Sequence, residues 1–293
     1  MSNYTISSFI SHIVNNYKQR LSKSRYPTNE LSIFKNDIQT IICDVLGVDR
    51  TYLYINSDKV LDNGVVEKIN TKTHRYFNGE PLAYILGYKY FWDQKLFVTQ
   101  DTLIPRADTE ILVESVLDDI SDKNAKLNIL DLGTGTGAIA LALASELSNS
   151  HIVAVDFSQK ALGVAKRNAN ENKISNVEFI QSDWYQNLEN KKFDIVVSNP
   201  PYIDFCDDEI DQEVKKYEPQ SALFAKDNGL ADIKTIISQA YLYLNENAYI
   251  YIEHGYTQAK FVQDILLEYE FSNVVTIKDL NQKDRCTHAI FDK

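Results

Sequence analysis

An apolar run, Leu127–Leu132, passes directly into Gly133-Thr-Gly135-Thr-Gly137 and then into the alanine-rich stretch Ala138–Leu147. The first segment suits a buried strand and the last a helix. The glycines between them allow a tight turn that other residues resist. A strand that turns through glycine into a helix belongs to a wound, mostly parallel α/β sheet. The rest of the chain keeps the alternation. Strands are expected at Ile152–Val155, Val177–Ile180, Phe193–Val197, Ala248–Ile252, Val274–Ile277 and His288–Phe291. Helices are expected around Ala161–Asn170 and over Ala231–Leu244 and Ala259–Glu268.

The glycine loop has two chemical readings. Gly133-x-Gly135-x-x-Ala138 fits a dinucleotide fingerprint. Gly133, Thr134, Gly135, Thr136 and Gly137 read as Gly-x-Gly-x-Gly fit a nucleoside cofactor without phosphates, such as S-adenosylmethionine. Asp156 ends the second strand, where a carboxylate binds ribose hydroxyls. Its alternative is to cap the next helix, a place Ser158 fills equally well. After the third strand come Asp183 and Trp184. They suit an adenine amine and ring, or else an exposed acid beside a packing Trp.

The second landmark is Phe193–Tyr202, a β-branched run that ends in Asn-Pro-Pro-Tyr. Pro200 and Pro201 lack an N–H and fix φ, so the strand stops there. In open α/β sheets, ligands bind just past the C-terminal ends of strands. The plain alternative is a turn, which Asn and Pro both favour. Beside a cofactor loop, however, the Asn199 side-chain oxygen and the Pro200 carbonyl can accept both hydrogens of a planar NH₂. Tyr202 can pack on the target, and Pro201 keeps the stretch rigid. Two acceptors stabilise the charge that grows on nitrogen during attack, and they aim it. The Tyr202 ring adds cation–π attraction.

Up to Gly79 the chain reads as helices. Ile6, Phe9, Ile10 and Ile13 recur at helical spacing, as do Leu31, Phe34, Ile38, Ile41 and Ile42 after Pro27. Gly47 suits the C-terminal cap of that second helix. Val60–Phe77 suggests further helix. Residues 80–105 break the pattern, and two aromatic, β-branched runs around Asp93-Gln94 signal a hairpin. Asp108 and Glu110 belong at the start of the next helix. Arg106 either meets a ligand carboxylate or is a surface charge. The domains expected are therefore 1–87, helical; 88–105, a hairpin linker; and 106–293, the α/β domain.

The net charge of −11 argues against a broad nucleic-acid surface. Three scattered cysteines and five scattered histidines give neither a disulfide framework nor metal-ligand spacing. The start lacks the charged and apolar segments of a signal peptide, and no apolar run is long enough for a membrane span. No metal, no membrane and a cytoplasmic location are expected.

Taken together, the motifs resemble one family, the HemK-type protein-(glutamine-N5) methyltransferases of peptide chain release factors. The pieces that carry the resemblance are Gly79–Gly87, Leu103–Arg106 with Asp108–Glu110, Asp131–Ala138, Ser182–Trp184, Ser198–Asp204 and Glu253–Gly255. Ala107 stands where the family has proline. The resemblance implies a class I, Rossmann-like methyltransferase domain with a seven-stranded sheet in the order 3-2-1-4-5-7-6. It implies S-adenosyl-L-methionine, converted to S-adenosyl-L-homocysteine, held by Gly133–Gly137, Asp156, Trp184 and Asn199. The target implied is the glutamine of the Gly-Gly-Gln loop of class 1 release factors, bound by Asn199–Tyr202, with the N-terminal helices docking the factor. The rivals are a glutamine methyltransferase of a large-subunit ribosomal protein, an adenine-N6 nucleic-acid methyltransferase and an NAD-dependent oxidoreductase.

Overall fold

A computed structural model describes residues 4–21, 29–207 and 210–293. Pro27, expected as a break between helices, lies outside them. The chain divides into two compact units, one up to Leu86 and one from Gly87 onward.

The first unit holds α1 (Ile6–Leu21), α2 (Asn29–Leu46), α3 (Arg50–Ile55), α4 (Asn63–Phe77) and α5 (Leu82–Leu86). Its core is the apolar stripe read from the sequence: Ile6, Phe9, Ile10 and Ile13 meet Phe34, Ile38, Ile41, Ile42 and Ile69. The run from Val60 is not helical at its start. Asp62 caps α4 by accepting from the Val65 N–H, so Val60 and Leu61 precede the helix. Asp49 caps the unforeseen α3 in the same way. The segment expected to break the helical pattern also opens with a short helix, α5, started by Pro81, whose carbonyl accepts from the Tyr84 N–H.

The second unit begins with a hairpin of β1 (Tyr88–Phe91) and β2 (Gln94–Phe97). Its turn is Trp92-Asp93, one residue earlier than the sequence suggested, with Trp92 in the left-handed region at φ 52°. The shift has a cause in packing. Gln94 is buried and donates to the Leu141 carbonyl, and the Trp92 indole donates to Glu146. Asn168 then bonds both the N–H and the carbonyl of Phe97, as a strand partner would. The hairpin expected as a linker is thus tied to this unit.

Then follow α6 (Glu110–Asp119), β3 (Asn128–Leu132), α7 (Ala138–Glu146), β4 (His151–Asp156), α8 (Gln159–Glu171), β5 (Val177–Gln181) and β6 (Phe193–Ser198). A small parallel pair, β7 (Ile203–Asp204) and β8 (Phe224–Ala225), encloses α9 (Gln212–Tyr217) and α10 (Gln220–Leu223). The chain continues through α11 (Ala231–Ala240), β9 (Leu244–Glu253), α12 (Ala259–Glu268), β10 (Ser272–Lys278) and β11 (Asp284–Phe291). The helix expected to reach Leu244 stops at Ala240. Tyr243 turns back to stack on Tyr185, and Leu244 already belongs to β9.

The large sheet has the order β10-β11-β9-β6-β3-β4-β5. Read from β5, this is the 3-2-1-4-5-7-6 order that the resemblance implies. Strands β5, β4, β3, β6 and β9 are parallel, and β11 runs antiparallel to both its neighbours. Both faces are covered. Ile129 and Ile152 pack on one side with α6 and α7, and Leu130 and Val153 on the other with α11 and α12. Strand order reverses at β3, between β4 and β6, which sets a crevice at their C-terminal ends. Among the described residues, no helix is long and apolar enough to cross a membrane.

Candidate active site

A cavity of about 450 Å³ lies at that crevice, within the size range of small-ligand sites. Its walls include Gly133, Gly135, Asp156, Phe157, Asp183, Trp184, Asn199 and Pro201. All three loop glycines have positive φ, but they do different work. Gly133 and Gly135 face the cavity. Gly137 lies behind, where an added Cβ would press on Leu141 and Ala165 at 3.2 and 3.3 Å. Thr134 and Thr136 are buried and do not line the cavity. Thr134 donates to Asp131 Oδ2, and the Thr136 carbonyl accepts from Asn168. Asp131 is fully enclosed, and burial pushes its carboxyl up to about 7. Its Oδ1 is buried without a hydrogen-bond partner.

Asp156 accepts from the Gly135 N–H through Oδ2 and from the Ser158 N–H through Oδ1, at 2.9 and 2.8 Å. The cap of α8 is the Ser158 hydroxyl, which accepts from the Ala161 N–H. Of the two roles open to Asp156, the cap is therefore taken. Burial raises its pKa, and the two backbone donors work against that rise. Trp184 sits at φ 47°, held by the Ser182 hydroxyl on its carbonyl. Its ring lies against the loop, 3.4 Å from where a Cβ on Gly133 would be. Phe157, unremarked in the sequence, is half exposed on the same wall. A large aromatic directly after the strand-ending acid was the available signal.

At the other end, Asn199 lines the cavity and its Nδ2 donates to Thr109 Oγ1 at 3.1 Å. Pro200 is buried, and no described residue donates to its carbonyl. Tyr202 turns its hydroxyl to Glu253 Oε1 at 3.3 Å and packs on the core beneath. Neither Pro200 nor Tyr202 is part of the cavity wall. The Tyr202 main chain is pinned as well: Gln258 Nε2 donates to its carbonyl at 2.9 Å. Gly229 lets that carbonyl approach, since a Cβ there would stand 2.1 Å from it. Glu253 is buried, and desolvation pushes its carboxyl up to about 7 against the pull of Thr109, Arg285 and Tyr202.

Arg106 is partly exposed and is not an isolated charge. It pairs with Glu218, whose other oxygen accepts from the Ile104 N–H. That buried glutamate brings the neighbouring Pro219, Ser221 and Ala222 onto the cavity wall. Glu110 accepts from the Trp92 N–H, so it serves the hairpin.

Comparison with known proteins gives the chain its family. A methyltransferase-domain model matches residues 123–289, and a model described as the PrmC N-terminal domain matches residues 13–87. A release factor glutamine methyltransferase of Francisella tularensis is 60% identical over 289 residues, covering 99% of this chain and 98% of that one. The chain belongs to the release factor glutamine methyltransferases. The Haemophilus influenzae member is 40% identical over 296 residues, 95% of this chain and all of that one. A solved methyltransferase from Pyrococcus furiosus, 16% identical, overlays 76% of this chain and the whole of that chain with a TM-score of 0.52, a likeness of fold.

A release factor glutamine methyltransferase uses S-adenosylmethionine, and the cavity fits that choice over a dinucleotide. Its wall carries four carboxylates, Asp101, Asp156, Asp183 and Asp232, and no Lys or Arg among the described residues. A pyrophosphate would be repelled there. A sulfonium donor with an ammonium group and no phosphate is attracted. Of the two cofactors that the sequence left open, the cavity beside this loop suits the methyl donor.

Proposed function

We propose that this enzyme methylates the side-chain nitrogen of the glutamine in the Gly-Gly-Gln motif of class 1 release factors, and that the cavity's two ends divide the work. Gly133, Gly135, Asp156, Phe157 and Trp184 hold the nucleoside of S-adenosylmethionine, Asp156 being the acceptor for ribose hydroxyls. The bound cofactor supplies an electrophilic methyl group. Thr134, Thr136 and Gly137 contribute by setting the path of the loop.

The observation that carries the reading is the Asn199 amide at the cavity wall, held through Nδ2 so that Oδ1 is left as an acceptor. Asn199 Oδ1 and the Pro200 carbonyl take the two hydrogens of the target amide. This holds its nitrogen in place and favours the charge that develops there. The target nitrogen gives its lone pair to the methyl carbon as the sulfur–carbon bond breaks, with that bond's electrons staying on sulfur. One N–H proton then leaves to water. Tyr202, kept neutral because burial pushes its pKa up, packs behind the acceptor pair. The helical unit is the docking body for the factor, supported by the N-terminal family match. Translation is cytoplasmic, and this reading implies that compartment.

The test uses methyl-labelled S-adenosylmethionine with a release factor, and with a copy whose motif glutamine is replaced by alanine. Label on the native factor alone is expected. Label on both copies, or only on a ribosomal protein or nucleic acid, overturns the substrate assignment.

A further inference from the structure

Pro200 and Pro201 have no N–H to give, so the middle of the Asn-Pro-Pro-Tyr stretch donates no main-chain hydrogen bond. The Pro200 carbonyl is therefore aimed from the two ends of the stretch. The leading end is held at Asn199, whose amide donates to Thr109. At the trailing end the Tyr202 hydroxyl donates to Glu253, and the Tyr202 carbonyl accepts from Gln258.

Gln258 is buried at the start of α12 and lies outside the cavity wall. Its Oε1 accepts from the Gly255 N–H at 2.8 Å. Its Nε2 gives one hydrogen to the Tyr202 carbonyl at 2.9 Å and the other to the Asn228 carbonyl at 3.1 Å. All three partners are main-chain groups of fixed polarity, so the amide fits in one orientation. One side chain thus joins the segments that follow β6, β8 and β9. It makes no capping bond to α12, whose first turn closes through the main chain, Val262 N–H to the Gln258 carbonyl.

The turn that Gln258 meets is strained. Asp227, Asn228 and Gly229 lie in succession in the left-handed region, at φ 57°, 54° and 81°. Asp and Asn enter that region as single residues rather than in runs. A Cβ on Gly229 would stand 2.8 Å from Gln258 Nε2 as well as 2.1 Å from the Tyr202 oxygen. The turn therefore closes on the donor and the acceptor of one hydrogen bond. Strain of this kind persists where the surroundings over-determine it, and it gathers at functional sites.

We infer that Gln258 is a positioning residue for methyl transfer, which holds the Tyr202 carbonyl and thereby aims the Pro200 carbonyl at the target nitrogen. The inference rests on the acceptor role proposed above for Asn199 and Pro200. Gln258 reaches neither the glycine loop nor Asp156, so its effect falls on turnover and not on cofactor binding.

The experiment compares Gln258→Met, Gln258→Glu and Asn199→Ala with the wild type. It measures kcat and KM on a release factor, and the stoichiometry and dissociation constant for S-adenosylmethionine by calorimetry. Turnover is expressed per bound cofactor, which counts only folded enzyme. Gln258→Met removes all three bonds at similar length. Gln258→Glu keeps an acceptor for Gly255 and withdraws both donors, since a carboxylate only accepts. Both variants are expected to lose roughly ten- to a hundredfold in kcat per bound cofactor, the cost of misplacing a reacting group, with the cofactor dissociation constant and the factor's KM within about twofold of wild type. A purely structural role would reduce the number of binding sites and leave kcat per site unchanged. That result in either variant overturns the inference, as does a matching loss of cofactor affinity. Full turnover in Asn199→Ala would instead overturn the acceptor reading beneath it.

Discussion

Two buried carboxylates, Asp156 on the cavity wall and Glu253 behind it, are held in opposite ways. Asp156, at the cofactor end, accepts two main-chain N–H groups, one from its own turn and one from the glycine loop beside it. Glu253, beneath the double proline, accepts from the Tyr202 hydroxyl and is favoured in its charged form by Arg285, while its other oxygen lacks a partner. A carboxylate held by backbone is fixed as soon as the strand–turn–helix unit forms. A carboxylate held by side chains is fixed only when three distant segments have met. The first arrangement is local and robust; the second couples the target site to the packing of the whole sheet.

Three substitutions sharpen that contrast. The largest effect belongs to Asn199→Ala, which removes the acceptor itself. We expect kcat to fall by about 10²–10³ while the S-adenosylmethionine dissociation constant stays put, as single-turnover kinetics beside calorimetry will show. Comparable loss in both numbers would mean the two ends are not separate. Next comes Gly229→Ala, outside the cavity wall, where the new Cβ falls 2.1 Å from the Tyr202 carbonyl at φ 81°. Strain of about 1–3 kcal/mol should lower the melting temperature by several degrees and slow turnover without weakening the cofactor. A melting curve like that of the wild type would show that Tyr202 shifts freely. The smallest effect is that of Asp156→Ala: roughly tenfold weaker cofactor binding, the scale of one charge-assisted hydrogen bond, with kcat recovered at saturating cofactor. An unchanged dissociation constant would reduce Asp156 to a support for the loop.

The same contrast explains what could be read without coordinates. The glycine loop, Asp156 and Trp184 announce themselves because strand, turn and helix succeed each other in sequence, and periodicity reports such local order. The strands from Leu127 onward lie within a few residues of where their apolar runs end. The helix after Ala231 overran because Tyr241–Leu244 stays apolar, with neither Gly nor Pro to stop it; stacking of Tyr243 on Tyr185 decides its end. The Glu218 contacts with Ile104 and Arg106 span more than a hundred residues, and no local pattern encodes them. Thr109 lay unremarked between Asp108 and Glu110, the two acids read as helix-start chemistry. Glu253 carried one signal, a charge directly after the apolar Ala248–Ile252, and its contact with Tyr202 spans 51 residues.

Strand β11, residues 284–291, lies between β9 and β10, both of which precede it in the chain. During synthesis β9 and β10 emerge first, with nothing between them. Until β11 arrives, β9 exposes an unpaired edge and Glu253 lacks Arg285. The glycine-loop half of the sheet can assemble while translation is still running, but the target end waits for the last strand. The ribosome must therefore deliver β11 before this modifier of the termination machinery can act on its target.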